Sequence, residues 1–69
     1  EIVRLQKGML IHAIQEVRDK RRSESMRKDA WQWLMSDEDH SFCSARCAEN
    51  NGYDTNYLRW LIKHLVTDL

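Results

Sequence analysis

Three groups of residues in this 69-residue chain could do chemistry. The first is a cationic run of Arg18, Lys20, Arg21, Arg22, Arg27 and Lys28. Such a run can neutralise phosphates or meet an acidic protein face, or it can be only a solvated connection between two helices. The second is His40, Cys43 and Cys47, with His64 far downstream. Zinc ligands usually come as two close pairs, and His64 has no companion, so the thiols read first as small buried core residues. Metal or redox chemistry is the lesser reading. Two cysteines four apart on one helix cannot join without distorting it, and a lone pair of thiols suits a reducing compartment. The third group is Thr55, Asn56, Arg59, Trp60 and Lys63. Asn pairs with adenine and Arg with guanine in a major groove, whereas an exposed Trp beside Arg has the make-up of a protein-interface hot spot.

No nucleophile–base pair, phosphate-binding glycine loop or inward carboxylate pair can be assembled. Asp37-Glu38-Asp39 lacks the loop glycine and closing Glu of a calcium-binding loop. His12 has no partner and reads as surface. A chain this short leaves little room for an enclosed active site beside a minimal core. The expectation is therefore a binding module with no catalytic residue, no metal site and no cofactor.

Those groups must be held by helices. Proline is absent and glycine occurs twice, so little interrupts a helical run. Ile2, Leu5, Met9 and Ala13 fall on one stripe and Val3, Leu10, Ile14 and Val17 on the next, predicting a long helix over residues 2–19 with a broad apolar face. Gly8 lies inside it, as a close helix crossing or the end of a frayed first turn. A second helix spans 24–35, capped by Ser23 or Ser25, with Met26, Ala30, Trp33 and Leu34 as its apolar positions. A third spans 42–50 with Ser41 as cap, stopped by Asn50-Asn51-Gly52. The last spans 55–67 after Asp54 or Thr55 and buries Leu58, Leu61, Ile62 and Leu65. The expected fold is a single all-α domain, residues 1–69, of four helices with a helix-turn-helix-like core. No apolar run is long enough to span a membrane, and nothing resembles a signal peptide. The start at Glu1 rather than Met suggests a trimmed chain.

Residues 44–63 carry the helix-turn-helix spacing. Ala48 lets two helices cross closely, Gly52 supplies a positive backbone dihedral at the turn, and Cys47, Tyr53, Leu58 and Leu61 would fix the crossing. An ordinary helical hairpin with a glycine turn gives the same pattern. Thr55, Asn56 and Arg59 are then the possible base-reading residues. Charge argues against that use. Net charge is zero overall, yet residues 1–35 carry eight cations against five anions and residues 36–69 three against six. The segment that would enter DNA is the acidic half, while DNA affinity rests mainly on phosphate neutralisation. Trp60 either faces outward as an interface residue or packs on the first two helices.

The run Trp33-Leu34-Met35-Ser36-Asp37-Glu38, followed by Ser41-Phe42, Cys47, Gly52-Tyr53-Asp54 and Tyr57-Leu58-Arg59, resembles a group of small phage and prophage proteins with helix-turn-helix-like character. The likeness spans about residues 30–60. Thr55 replaces a proline common after the turn Asp, and the N-terminal helix lies outside the match. The resemblance implies a phage-encoded transcription regulator in the host cytoplasm. By analogy of size and origin, its partner is a host protein, RNA polymerase first, with possible nucleic-acid contact and neither membrane nor small-molecule substrate. Arg18, Lys20, Arg21, Arg22, Arg27, Lys28, Arg59, Trp60 and Lys63 are the expected partner-binding residues. The alternatives are a sequence-specific DNA-binding repressor or activator and a terminase-like packaging component.

Overall fold

The computed structural model describes residues 1–38, 40 and 42–69. They form four helices and no strand: α1 (Ile2–Arg18), α2 (Glu24–Met35), α3 (Ser44–Asn50) and α4 (Thr55–Leu65). The all-α class and helix order are those expected.

Local chemistry sets most of the boundaries. α1 stops one residue early at Arg18, where extended Asp19 sends its N–H back to the carbonyls of Gln15 and Glu16. Ser23, rather than Ser25, caps α2: its hydroxyl accepts the Met26 N–H at 3.2 Å. α3 begins at Ser44, two residues later than expected. Its cap is Cys43, whose sulfur accepts the Arg46 N–H at 3.5 Å. Ser41, the expected cap, lies outside the described residues. At the far end Gly52 takes φ +79°, and the N–H groups of Gly52 and Tyr53 reach the carbonyls of Glu49 and Ala48 at 3.0 and 2.9 Å. This paired closure needs a left-handed residue, which glycine adopts without steric cost. Asp54 then caps α4 by accepting the Tyr57 N–H at 3.2 Å. α4 ends at Leu65 rather than residue 67, because Val66 turns extended and runs into the core.

The core is a narrow strip. α1 contributes Leu10, Ala13 and Val17, α2 Ala30 and Leu34, and α3 Cys47 and Ala48. The complete burial of Ala48 is what the close crossing requires. Among the described residues, Cys43 ahead of α3 is also buried, and α4 adds only Ile62, with Val66 following it. A fully buried aliphatic side chain contributes about 1.5–3 kcal/mol, so apolar burial alone fixes α4 weakly.

Several apolar assignments change. Ile2, Val3 and Leu5 are exposed, because the inward stripe of α1 passes through Gln6, Leu10, Ala13 and Val17. Gln6 tolerates burial by accepting a hydrogen bond from the Asn50 side chain at 3.0 Å. Met26, Tyr53 and Leu65, expected to pack inward, are also exposed. Leu58 and Leu61 are only partly covered, leaving Ile62 as the buried residue of α4. A Cβ at Gly8 would meet nothing within 4 Å, so no neighbouring helix crosses α1 there.

Candidate partner-binding surface

α4 carries the residues singled out for recognition, and its geometry divides them. Thr55, Arg59 and Ile62 lie on the inner side, while Asn56, Tyr57, Trp60, Lys63 and His64 are exposed. Thr55 is half-buried and its hydroxyl donates to the Ala45 carbonyl at 3.5 Å. It is thus engaged with α3 rather than offered to a base.

Arg59 is the larger correction. Its side chain is only 18% exposed. Nε donates to the Leu34 carbonyl at 3.0 Å, and Nη2 donates to the Ser36 carbonyl at 2.6 Å and the Ser44 hydroxyl at 3.4 Å. Nη1 meets the exposed Asp37 carboxylate at 3.4 Å. The Ser44 hydroxyl itself donates to the Leu34 carbonyl at 3.0 Å. Carbonyls in the last turn of a helix lack intrahelical partners, and a guanidinium can serve several of them at once. Arg59 therefore pins α4 to the end of α2 and the start of α3. It is neither a base reader nor a partner contact in this conformation.

With Arg59 withdrawn, the outer face of α4 becomes aromatic. Tyr57 and Trp60 stack with ring centroids 6.0 Å apart and an interplanar angle of 14°. Trp60 and His64 lie 4.0 Å apart, and His64 Nδ1 donates to the Trp60 carbonyl at 2.9 Å. Tyr57 and Trp60 are 60% and 52% exposed. Of the two positions open to Trp60, the outward one holds. The sequence reading missed Tyr57 and His64 as its companions, although positions 57, 60 and 64 share one helical face by spacing. The ladder can bury three rings against an apolar or cationic surface, and Asn56 and Lys63 supply polar groups beside it. Rigid, exposed aromatics of this kind are the usual anchors of protein interfaces.

The cationic run also divides. Arg18, Lys20, Arg21, Arg22 and Lys28 are exposed. Arg27 turns inward and is only 7% exposed. Its Nε and Nη2 donate to the Val17 carbonyl at 3.2 and 2.8 Å, and its guanidinium forks onto Asp68 at 2.8 and 3.0 Å. Hydrogen bonding to Arg27 holds the Asp68 carboxyl below its ordinary value, and the same bonds raise Arg27. Arg27 is thus a structural residue and is unavailable to a partner. Its place on the stripe 27, 30, 34 with Ala30 and Leu34 is the sequence signal for that inward turn.

The zinc constellation is not brought together. Cys43 and Cys47 are buried free thiols, His40 lies beside Glu38 at 3.0 Å, and His64 is on the outer face of α4. Burial pushes the Cys47 thiol up, and the neighbouring Cys43 adds to this, so it stays protonated at neutral pH. Among the described residues, no group of three or more His, Cys, Asp or Glu side chains is placed to hold a metal. An apolar groove of about 320 Å³ lies between α1 and α2, lined by Met9, Ala13, Ala30 and Trp33 with His12, Glu16 and Asp29. No described helix is long and apolar enough to cross a membrane.

Comparison of the chain with protein-family models, curated proteins and solved structures gives no match.

Proposed function

We propose that this domain is a non-catalytic transcription regulator of phage type. It docks the outer face of α4 on a protein of the host transcription machinery, RNA polymerase first, in the host cytoplasm. The observation that carries the docking mode is the outward Tyr57–Trp60–His64 ladder on a helix whose one arginine is turned inward. A DNA reader needs cations on the helix that enters the groove. Here Lys63 alone faces out, with Asp54 at the opposite end of the helix. The choice of transcription machinery rests on the resemblance of residues 30–60 to small phage proteins, and the ladder supports the protein-binding part of the reading.

The test is direct binding of the purified chain to purified bacterial RNA polymerase and, separately, to duplex DNA. The expected result is polymerase binding that survives nuclease and weakens at least about tenfold in Trp60→Ala, as loss of a hot-spot aromatic does. The thermal midpoint of Trp60→Ala should match that of the parent, because the ring is outside the core. Sequence-specific DNA binding at physiological salt that survives Trp60→Ala would replace this reading with the repressor or activator alternative.

A further inference from the structure

The turn between α1 and α2 presents Arg18, Lys20, Arg21, Arg22 and Lys28 at the surface, against the carboxylates of Asp19 and Glu24. Neither Arg18 nor Lys20 makes a close ion pair among the described residues, though Lys20 acts at longer range on Asp68, which Arg27 already holds. Arg21 and Arg22 share Asp19 at 3.0 and 3.6 Å, and the Arg21 side chain is still 91% exposed. Lys28 pairs with Glu24 at 3.1 Å, with both side chains exposed. Exposed pairs of this kind are weak and exchange readily for a stronger anion. The turn also leads into the N-terminus of the twelve-residue helix α2. The first N–H groups there, on Glu24 and Ser25, have no intrahelical acceptor, and the Ser23 hydroxyl caps the next one, on Met26.

We infer that this turn is a contact for the phosphate backbone of nucleic acid, independent of base sequence and separate from the α4 face. Arg and Lys side chains, serine hydroxyls and helix N-terminal N–H groups are the donors that bind nucleic-acid phosphates. Residues 18–28 contain no Asn or Gln to read adenine and no aromatic ring to stack on a base, and Arg21 and Arg22 lie on a turn rather than on a helix that could enter a groove to read guanine. An acidic protein partner fits less well. Met26 is the single exposed large apolar side chain within residues 18–28, and protein interfaces draw most of their affinity from a cluster of buried anchors. The inward turn of Arg27 leaves the exposed set as five cations against two carboxylates, enough for about three phosphates.

Titration of the full chain into a labelled duplex of about 20 bp, at several salt concentrations, tests this. Three phosphate contacts give a slope of log affinity against log salt of about −2.7, at 0.9 per phosphate. Lys20→Glu combined with Arg22→Glu should weaken binding at least tenfold and flatten the slope; Lys20→Gln should do so partially. Asp19→Asn, which releases Arg21 and Arg22, should strengthen binding several-fold, and Trp60→Ala should leave it unchanged. Thermal midpoints of all variants report whether each is folded. Duplex binding without a salt slope, or unchanged by the charge-reversed variant, overturns the inference. Preference for polyglutamate over duplex also overturns it and assigns the turn to an acidic protein. Because the α4 reading is tested by Trp60→Ala and this one by residues 19–22, failure of either is visible separately.

Discussion

Arg27 and Arg59 both sit where a helix ends, and they hold the two ends differently. Arg27 serves one carbonyl of α1 and meets Asp68 through a two-oxygen fork, over the tightly packed Val17. Arg59 serves the Leu34 and Ser36 carbonyls and the Ser44 hydroxyl, while its one anionic partner, Asp37, is 96% exposed. The first junction is ionic and buried on its arginine side, with Asp68 41% exposed, whereas the second is mostly dipolar and more open to water. Screening by solvent removes most of the Asp37 contribution, so Arg59 works chiefly as a hydrogen-bond donor. The two junctions therefore differ in how they should respond to pH and to truncation.

Arg27→Ala is expected to have the largest effect, lowering the thermal midpoint by roughly 15 °C for a domain of this size. It leaves the Val17 carbonyl and Asp68 without their donor, and calorimetry or circular dichroism reads the loss. The same junction carries the acid response. Asp68 is held below its ordinary value of 3.8, so its contribution is complete above that value and is lost as pH falls through the lowered one. Arg27 is raised above its ordinary value, so its contribution is present throughout the acid and neutral range. Asp19, lowered by its hydrogen bonds from Arg21, acts in the same direction at the surface. Acid unfolding should steepen below about pH 4, and Arg27→Ala or Asp68→Asn should flatten that limb.

Arg59→Ala is expected to cost about 1.5 kcal/mol, the scale of hydrogen bonds from a charged donor. Its acid limb should keep the parent's shape. Hydrogen exchange should show α4 amides opening first while α1 and α2 stay protected, since α4 has little apolar burial to fall back on. If both arginine variants lose the whole fold together, the distinction between the junctions fails. The glycines sharpen the comparison on a smaller scale. Gly52→Ala should cost about 1 kcal/mol because of the positive φ, whereas Gly8→Ala should gain about 0.5 kcal/mol in an unobstructed helix. Urea midpoints of opposite sign would check both.

The helix caps and the glycine turn between α3 and α4 were legible because each is local. Gly52, Asp54 and Ser23 act on backbone groups within a few residues of themselves, so their types and positions predict their structures. The directions of Arg27 and Arg59 were not legible from charge, since a run of cations says nothing about which member meets a distant carbonyl. Their helical spacing to Ala30, Leu34 and Ile62 held the information, and weighing position above residue type would have recovered it. The apolar face of α1 failed for another reason. The two stripes expected there run through Ile2, Leu5, Met9 and Ala13 and through Val3, Leu10, Ile14 and Val17, whereas the placement of α2 and α3 buries a line between them through Gln6, Leu10, Ala13 and Val17. The Tyr57–Trp60–His64 ladder needed only Trp60 to be outward, a choice that depended on Arg59.

The Arg27–Asp68 fork joins residues 41 apart in the chain. During synthesis the α1–α2 hairpin emerges long before Asp68 does, so for that interval its guanidinium has the Val17 carbonyl but no counter-charge. Closing so long a loop is entropically slow compared with forming a helical hairpin, and it is rewarded only once Val66 also reaches the core. The Arg27 junction therefore lacks its counter-charge until Asp68 has left the ribosome.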